Sequence, residues 1–261
     1  MTPADAAFLG ELPQWAFAAA LLIARVGGVC MLVPGIGEAE LPPTIRAGFT
    51  LAFAAVLLPV VWPLLPRAPA DAWRGFAMVA AEVATGLTLG WLARLPVLAL
   101  PLAGQIIAGA TGLSNIMQPD PMLGPQTAVL SRALGMAAVV AVLATGLHMV
   151  PLAALAGSYT VIAAGTFLPA GDAAAQAVTV IGAMFALSLR LSAPFVLAGL
   201  MFQVALGLLS RLVPQLQVYF AAMPGQILGG IALFGLLAGT LVTVWLDQVG
   251  AALSALPGLT P

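Results

Sequence analysis

Residues 104–132, GQIIAGATGLSNIMQPDPMLGPQTAVLSR, form the longest polar, glycine- and proline-punctuated stretch in a chain that is otherwise strongly apolar. The stretch carries Gly109, Gly112, Pro119, Asp120, Pro121, Gly124 and Pro125, and its polar groups are Thr111, Ser114, Asn115, Gln118, Gln126 and Thr127. Such backbone cannot face lipid, where nothing would bond its free N–H and C=O groups. It must lie against protein, line a water-filled cavity, or sit outside the membrane. Long apolar segments flank it on both sides. The reading is a loop packed within, or capping, an all-α assembly of long hydrophobic helices. Glycine permits tight turns there and proline excludes regular helix.

Composition sets the class. The chain has 261 residues, of which 62% are hydrophobic and 7% charged. Soluble domains average about 25% charged residues, so the expectation is an integral membrane protein, or a chain that lives wholly inside an apolar assembly. All 8 cationic residues are arginine, and the net charge of −1 argues against a nucleic-acid surface. The single Cys30 cannot form an internal disulfide. The first residues, MTPADAAFLGELPQW, are acidic and lack the cationic start of a cleaved signal peptide, so the first apolar segment is expected to be retained.

A span needs roughly 20 apolar residues, and about six segments qualify. They are Leu12–Val33, Ala47–Leu65, Phe76–Leu100, Ala133–Phe167, Ala177–Leu206 and Ile227–Trp245. Pro96 marks a kink in the third. Gly146-Leu147-His148 and Pro151 split the fourth. A short turn, LPAGDAA, separates the fourth from the fifth, and a polar connection over 207–226 separates the last two. No internal repeat or heptad pattern is visible.

Gly86 and Gly90, Gly225 and Gly229, and Gly235 and Gly239 are small residues four apart, a spacing that lets helix backbones approach closely. Glu82 lies four residues before Gly86, so Glu82, Gly86 and Gly90 share one helix face, expected against protein. Arg25, Glu82, Arg94 and Arg190 sit inside apolar runs. Each costs roughly 2.5–3.5 kcal/mol at a bilayer centre on insertion scales. One acid among three arginines supplies a proton relay poorly. The expectation is helix packing and ion pairs that fix register within a bundle or between subunits, with Glu82 paired to Arg25.

Catalytic and metal motifs are absent from the sequence. One His and one Cys cannot make a standard metal site, and there is no Lys to complete a phosphate-binding loop. Gly112-Leu113-Ser114-Asn115 with His148 downstream resembles an intramembrane serine-protease pairing only loosely, because Asn115 stands where that motif has glycine. No enzyme, cofactor or metal is expected.

Several stretches together form a familiar order. They begin with Arg25-Val26-Gly27-Gly28, Pro34-Gly35-Ile36-Gly37, Leu41-Pro42 and Ile45-Arg46. Glu82, Gly86 and Gly90 follow, then GLSNIMQPDP with Val129-Leu130 and Arg132. Last comes the run from Leu208 to Val218, LLSRLVPQLQV, with Pro224 and Gly225. This order resembles the FliR family of flagellar type III export proteins and the related injectisome SctT/SpaR family, over roughly residues 10–250.

The resemblance implies a structural and gating subunit of an export gate. Its partners would be FliP-like and FliQ-like subunits, other membrane components of the export apparatus, and unfolded exported proteins, with no nucleic acid. It implies one gate subunit over 1–261, with a FliP-like portion at about 1–170 and a FliQ-like hairpin at 177–250. It places the chain in the bacterial inner membrane, within the flagellar basal body. A gate for unfolded chains must be wide when open and ion-tight at rest, and a flexible apolar plug meets both demands. Gly109, Gly112, Leu113, Ser114, Asn115, Ile116, Met117 and Gln118 are assigned to that plug. Ser210, Arg211, Pro214 and Gln215 are assigned to a cytoplasmic tip. This sequence departs from the family loop at Pro119-Asp120-Pro121 and Met122-Leu123-Gly124. Two alternatives stand beside the flagellar gate: an injectisome gate subunit, and a secondary transporter with discontinuous helices, which would favour paired halves.

Overall fold

A computed structural model describes residues 3–115, 129–212 and 218–259. Every regular element among them is helical: α1 (Pro3–Leu32), α2 (Pro43–Val61), α3 (Ala72–Val97), α4 (Ala99–Ala110), α5 (Val129–Ala144), α6 (Met149–Val161), α7 (Ala170–Leu212) and α8 (Val218–Ser254). Single 3-10 turns occupy Trp62–Leu64 and Leu113–Asn115.

Proline and glycine set most of the boundaries. Pro43 opens α2 at a position where its missing N–H costs nothing. The break at Leu98 between α3 and α4 falls where Pro101 has no N–H to give the Val97 carbonyl. Gly146, at φ +76°, turns the chain between α5 and α6. Pro151 lies in the first turn of α6, where it is tolerated.

Five stretches are long and apolar enough to cross a membrane: Gly10–Leu32, Pro43–Leu64, Ala72–Ala110, Gly171–Leu212 and Ala221–Ser254. The bent pair α5 and α6 makes a sixth if it is one span. These coincide with the six apolar segments of the sequence, and the chain is an all-α membrane protein.

Three boundaries differ from the sequence reading. The decisive polar stretch is helical at both ends, with 104–110 in α4 and 129–132 in α5. Gln105 and the apolar residues around it stay helical through Ala110, and the Thr111 N–H still donates to the Ile107 carbonyl. The helix α7 starts at Ala170 rather than after LPAGDAA, because Pro169 stops the preceding chain and Asp172 suits the positive end of a helix. The connection expected over 207–226 is helical through Leu212 and again from Val218, since Leu, Arg and Gln are good helix formers.

The chain divides into two compact units interleaved in sequence, one of residues 1–96, 142–180 and 250–261, the other of 97–141 and 181–249. In the first unit, Leu21, Leu22, Val26 and Val29 of α1 are buried, as are Leu89 and Leu92 of α3 and Leu155 of α6. The helices α1 and α3 meet backbone to backbone. A Cβ on Gly28 would lie 2.8 Å from the Leu87 nitrogen, one on Gly86 would strike the Arg25 carbonyl oxygen, and one on Gly90 would lie 3.0 Å from that of Val29. The Glu82–Gly86–Gly90 face is therefore an intramolecular contact. Trp15 stacks on Trp62 with ring centroids 3.9 Å apart.

In the second unit, Ser131 of α5 donates a 2.7 Å hydrogen bond to the Pro101 carbonyl of α4, and Gly104 lies against the Ser131 backbone. A Cβ on Gly199 of α7 would lie 2.5 Å from the Ala110 carbonyl oxygen. Phe195 of α7 meets Phe234 of α8 at 6.3 Å between centroids. By contrast, Gly225, Gly229, Gly235 and Gly239 have open space where a side chain would stand.

The two kinds of glycine predict opposite responses. Gly86→Ala is expected to lower stability by about 1–3 kcal/mol through overpacking. Gly48→Ala on the exposed, unobstructed face of α2 should leave it unchanged or raise it by about 0.5–1 kcal/mol. Thermal unfolding of the detergent-solubilised chain, followed by circular dichroism, separates them. Equal melting temperatures would contradict the close approach of α1 and α3.

Candidate functional site

The first cluster surrounds Arg25, which is wholly buried, as is Glu82. The Arg25 Nε donates to Glu82 Oε2 at 2.7 Å and Nη2 donates to Oε1 at 2.9 Å, a bidentate pair. Nη1 donates to Ser158 Oγ at 3.1 Å, and both terminal nitrogens donate to the Ile162 carbonyl at 3.3 Å. Glu82 Oε1 also accepts the Gly165 N–H at 2.6 Å. The guanidinium carbon stands 4.0 Å over the Tyr159 ring, a cation–π contact. With every donor of the guanidinium engaged, the cluster fastens α1, α3, α6 and the start of the α6–α7 connection. Its contacts hold structure.

A second pair lies nearer the surface of the same unit. Arg94 Nη2 donates to Glu38 Oε2 at 2.9 Å, and Nη1 reaches the carbonyls of Leu32 at 3.2 Å and Gly37 at 3.4 Å. The Gly35 N–H donates to Glu38 Oε1 at 3.4 Å. The Pro34-Gly35-Ile36-Gly37 turn is thereby tied to α3. Sequence reasoning singled out Arg94 and missed Glu38 as its partner. The available signal was that Glu38 is one of only two acids in the loop that follows the first apolar segment.

The turn leaving α4 is the third feature. Gly109 is exposed and meets no neighbour. Thr111 and Gly112 are buried, Leu113 is half-buried and Ser114 is exposed. Gly112 has φ +75°, a conformation that disfavours any side chain. Gln226 of α8 packs against it, with the side-chain amide carbon 3.3 Å from where a Cβ would stand. Gln226 Nε2 also donates to the Ala110 carbonyl at 3.3 Å, and Gly230 lies against the Thr111 side chain. Gln226 thus holds the end of α4 and the turn at Gly112. Sequence reasoning placed it at the end of the polar connection over 207–226, and its one clue was being the last amide before the apolar segment that begins at Ile227. A groove of about 350 Å³ opens beside this contact, lined by Thr111, Phe195, Phe202, Gly225, Gln226 and Leu233 among others. Asn115 closes the 3-10 turn. Ile116, Met117 and Gln118, which the sequence reading assigned to a plug, lie outside the described residues.

The remaining candidates stand apart. Ser210 and Arg211 are exposed near the end of α7, where Ser210 Oγ donates to the Gly207 carbonyl at 2.9 Å. Pro214 and Gln215 lie outside the described residues. Arg190 is exposed midway along α7. His148 precedes α6, with Nδ1 3.5 Å from the Val142 carbonyl oxygen. Among the described residues no three His, Cys, Asp or Glu side chains gather where they could hold a metal.

Comparison with known proteins gives a consistent match along the chain. The family described as "Bacterial export proteins, family 1" matches residues 16–252. The chain is 34% identical over 232 residues to the flagellar biosynthetic protein FliR of Caulobacter vibrioides, covering 89% of this chain and 92% of that protein. It is 27% identical over 216 residues to the flagellar biosynthetic protein FliR of Escherichia coli, covering 82% and 81%. It is also 27% identical over 209 residues to the Yop proteins translocation protein T of Yersinia pestis, covering 78% and 79%.

The buried pair predicts a non-additive response. Glu82→Ala leaves an uncompensated buried guanidinium and is expected to cost about 3–5 kcal/mol. Replacing both partners, as Arg25→Met with Glu82→Leu, should cost less than Glu82→Ala alone. Thermal unfolding in detergent checks the pair. A Glu82→Ala chain that melts with the parent would contradict it.

Proposed function

The chain belongs to the FliR family of bacterial export proteins, membrane subunits of the type III export apparatus, and on that premise we propose that it is a structural and gating subunit of the export gate. It assembles with FliP-like and FliQ-like subunits to form the pore through which unfolded flagellar proteins leave. The observation that carries the reading is the family match over 16–252, nearly the whole chain. The flagellar system is favoured over the injectisome because identity to a flagellar relative reaches 34%, against 27% for the translocation protein. The gate sits in the inner membrane, within the basal body. The portion at about 1–170 is FliP-like and that at 177–250 FliQ-like. The helices α7 and α8, with 43 and 37 residues and the Phe195–Phe234 contact between them, support a hairpin there.

The stretch from Gly112 to Gln118 helps close the pore. Leu113, Ile116 and Met117 supply apolar contacts that exclude water and ions, and methionine repacks readily. Gly109, Gly112, Ser114 and Asn115 lie at the start of this plug, and the Gln226 contact supports a fixed root from which the rest moves aside. The tip, with Ser210, Arg211, Pro214 and Gln215, docks a cytoplasm-facing export component.

Copurification tests the assembly. A tagged chain should bring down two smaller hydrophobic proteins in fixed ratio, and recovery of a transport-competent lone chain would overturn it. For the plug, deletion of Leu113–Met117 is expected to raise resting ion conductance of the membrane while the complex still assembles. An intact complex with unchanged conductance would sink the plug. For the tip, Arg211→Ala with Gln215→Ala should reduce export severalfold with the gate still assembled. Full export in that double variant would count against docking.

A further inference from the structure

Of the three arginines inside the apolar segments, Arg25, Arg94 and Arg190, it is Arg190 that has no partner among the described residues. Arg25 and Arg94 each reach a glutamate, at 2.7 and 2.9 Å. Arg190 is exposed and makes no ion pair or hydrogen bond among the described residues. It lies on a groove of about 230 Å³ between α7 and α8, lined by Leu191, Pro194, Leu237, Thr240 and Val244. Pro194 has no N–H to give the Arg190 carbonyl, four residues before it. One spot in an apolar groove therefore carries an unpaired guanidinium and a carbonyl without its helical donor. The rest of that face of α7 is apolar and open, with Leu197 61%, Met201 67% and Val204 64% exposed.

Lipid does not satisfy this face. No other charged residue lies between Asp172 and Arg211. Those two are roughly 27 and 31 Å from Arg190 along the helix axis. With Arg190 within the hydrocarbon, the bare charge costs about 2.5–3.5 kcal/mol. With Arg190 at the headgroups, the apolar half of α7 on one side of it would stand in water. Both placements call for protein along the face, and the chemistry at Arg190 calls for a carboxylate, which a guanidinium binds with two parallel hydrogen bonds.

We propose that the Arg190 groove docks an apolar helix of a neighbouring gate subunit, and that one aspartate or glutamate of that helix pairs with the Arg190 guanidinium. The inference rests on the assembly reading above and adds to it a contact surface and the chemistry of the partner.

The test uses the full chain in its export-competent host. Arg190→Glu should abolish export and cut the yield of copurified gate subunits roughly tenfold or more, as for a desolvated charge pair. Arg190→Lys should retain most of both. Arg190→Leu keeps the helix apolar, so it should accumulate in the membrane like the parent and still copurify fewer subunits. Selection for restored export from Arg190→Glu should return an Asp or Glu to Lys or Arg change in an apolar helix of another subunit. Normal export and copurification by Arg190→Glu would overturn the proposal while leaving the assembly reading intact. Compensating changes at Asp120 of the same chain would do the same. A parent chain that copurifies no other subunit would overturn both.

Discussion

The bidentate contact between Arg25 and Glu82 is the constraint on which the first unit depends. Arg25 stands three residues before Gly28, and Glu82 four before Gly86, so each charge shares a helix face with a glycine. The glycines bring the α1 and α3 backbones together, and only at that spacing can the carboxylate reach the guanidinium at 2.7 Å. Sliding one helix by a turn would bury both charges apart and press side chains into backbone. A buried pair of this kind adds little net stability against an apolar replacement, but breaking it is costly. Its contribution is to register. The same guanidinium takes Ser158 and the Ile162 carbonyl, and the same carboxylate takes the Gly165 N–H, so the end of α6 is fixed by the same contact.

That constraint was readable from the sequence because so few charges compete. Glu82 is the one acid inside the apolar segments, and a buried arginine needs an acid. The helices were also legible, since apolar runs of span length separated by Pro and Gly leave few other solutions. Helix ends were less so. Polarity does not bring irregularity at 104–110 and 207–212, where Gln105, Ser210 and Arg211 sit in helix because exposed polar side chains do not disturb backbone bonding. The Gln226 contact was hidden for a different reason. It joins positions 116 residues apart through an amide and a backbone carbonyl, and neither group has a sequence pattern that names the other. For the stretch proposed as a plug the sequence supplied composition only; the structure adds that Gly112 has a positive φ and that Leu113 is half-buried.

The two kinds of helix in this chain have different solvents. In Ala72–Ala110, 61% of the most apolar window is buried within the chain, and in Gly10–Leu32, 44%. In Pro43–Leu64, Gly171–Leu212 and Ala221–Ser254 the shares fall to 17%, 22% and 11%, and the last two are among the longest stretches. Lipid accounts for only part of the difference, because a bilayer core takes about 20 residues of helix and these helices have 43 and 37. Roughly half of each must be covered by something other than hydrocarbon or else stand bare in water, which apolar surface of that extent does not do in a stable monomer. The open glycines of α8 fit the same account. Gly28 and Gly86, inside the first unit, are occupied by a neighbouring backbone, whereas Gly225, Gly229, Gly235 and Gly239 present the same bare backbone to nothing within 4 Å. In an apolar helix a glycine exposed in this way lowers helix propensity by about 1 kcal/mol relative to alanine with no packing in return. Four such positions on one helix make physical sense when the packing is supplied by another chain.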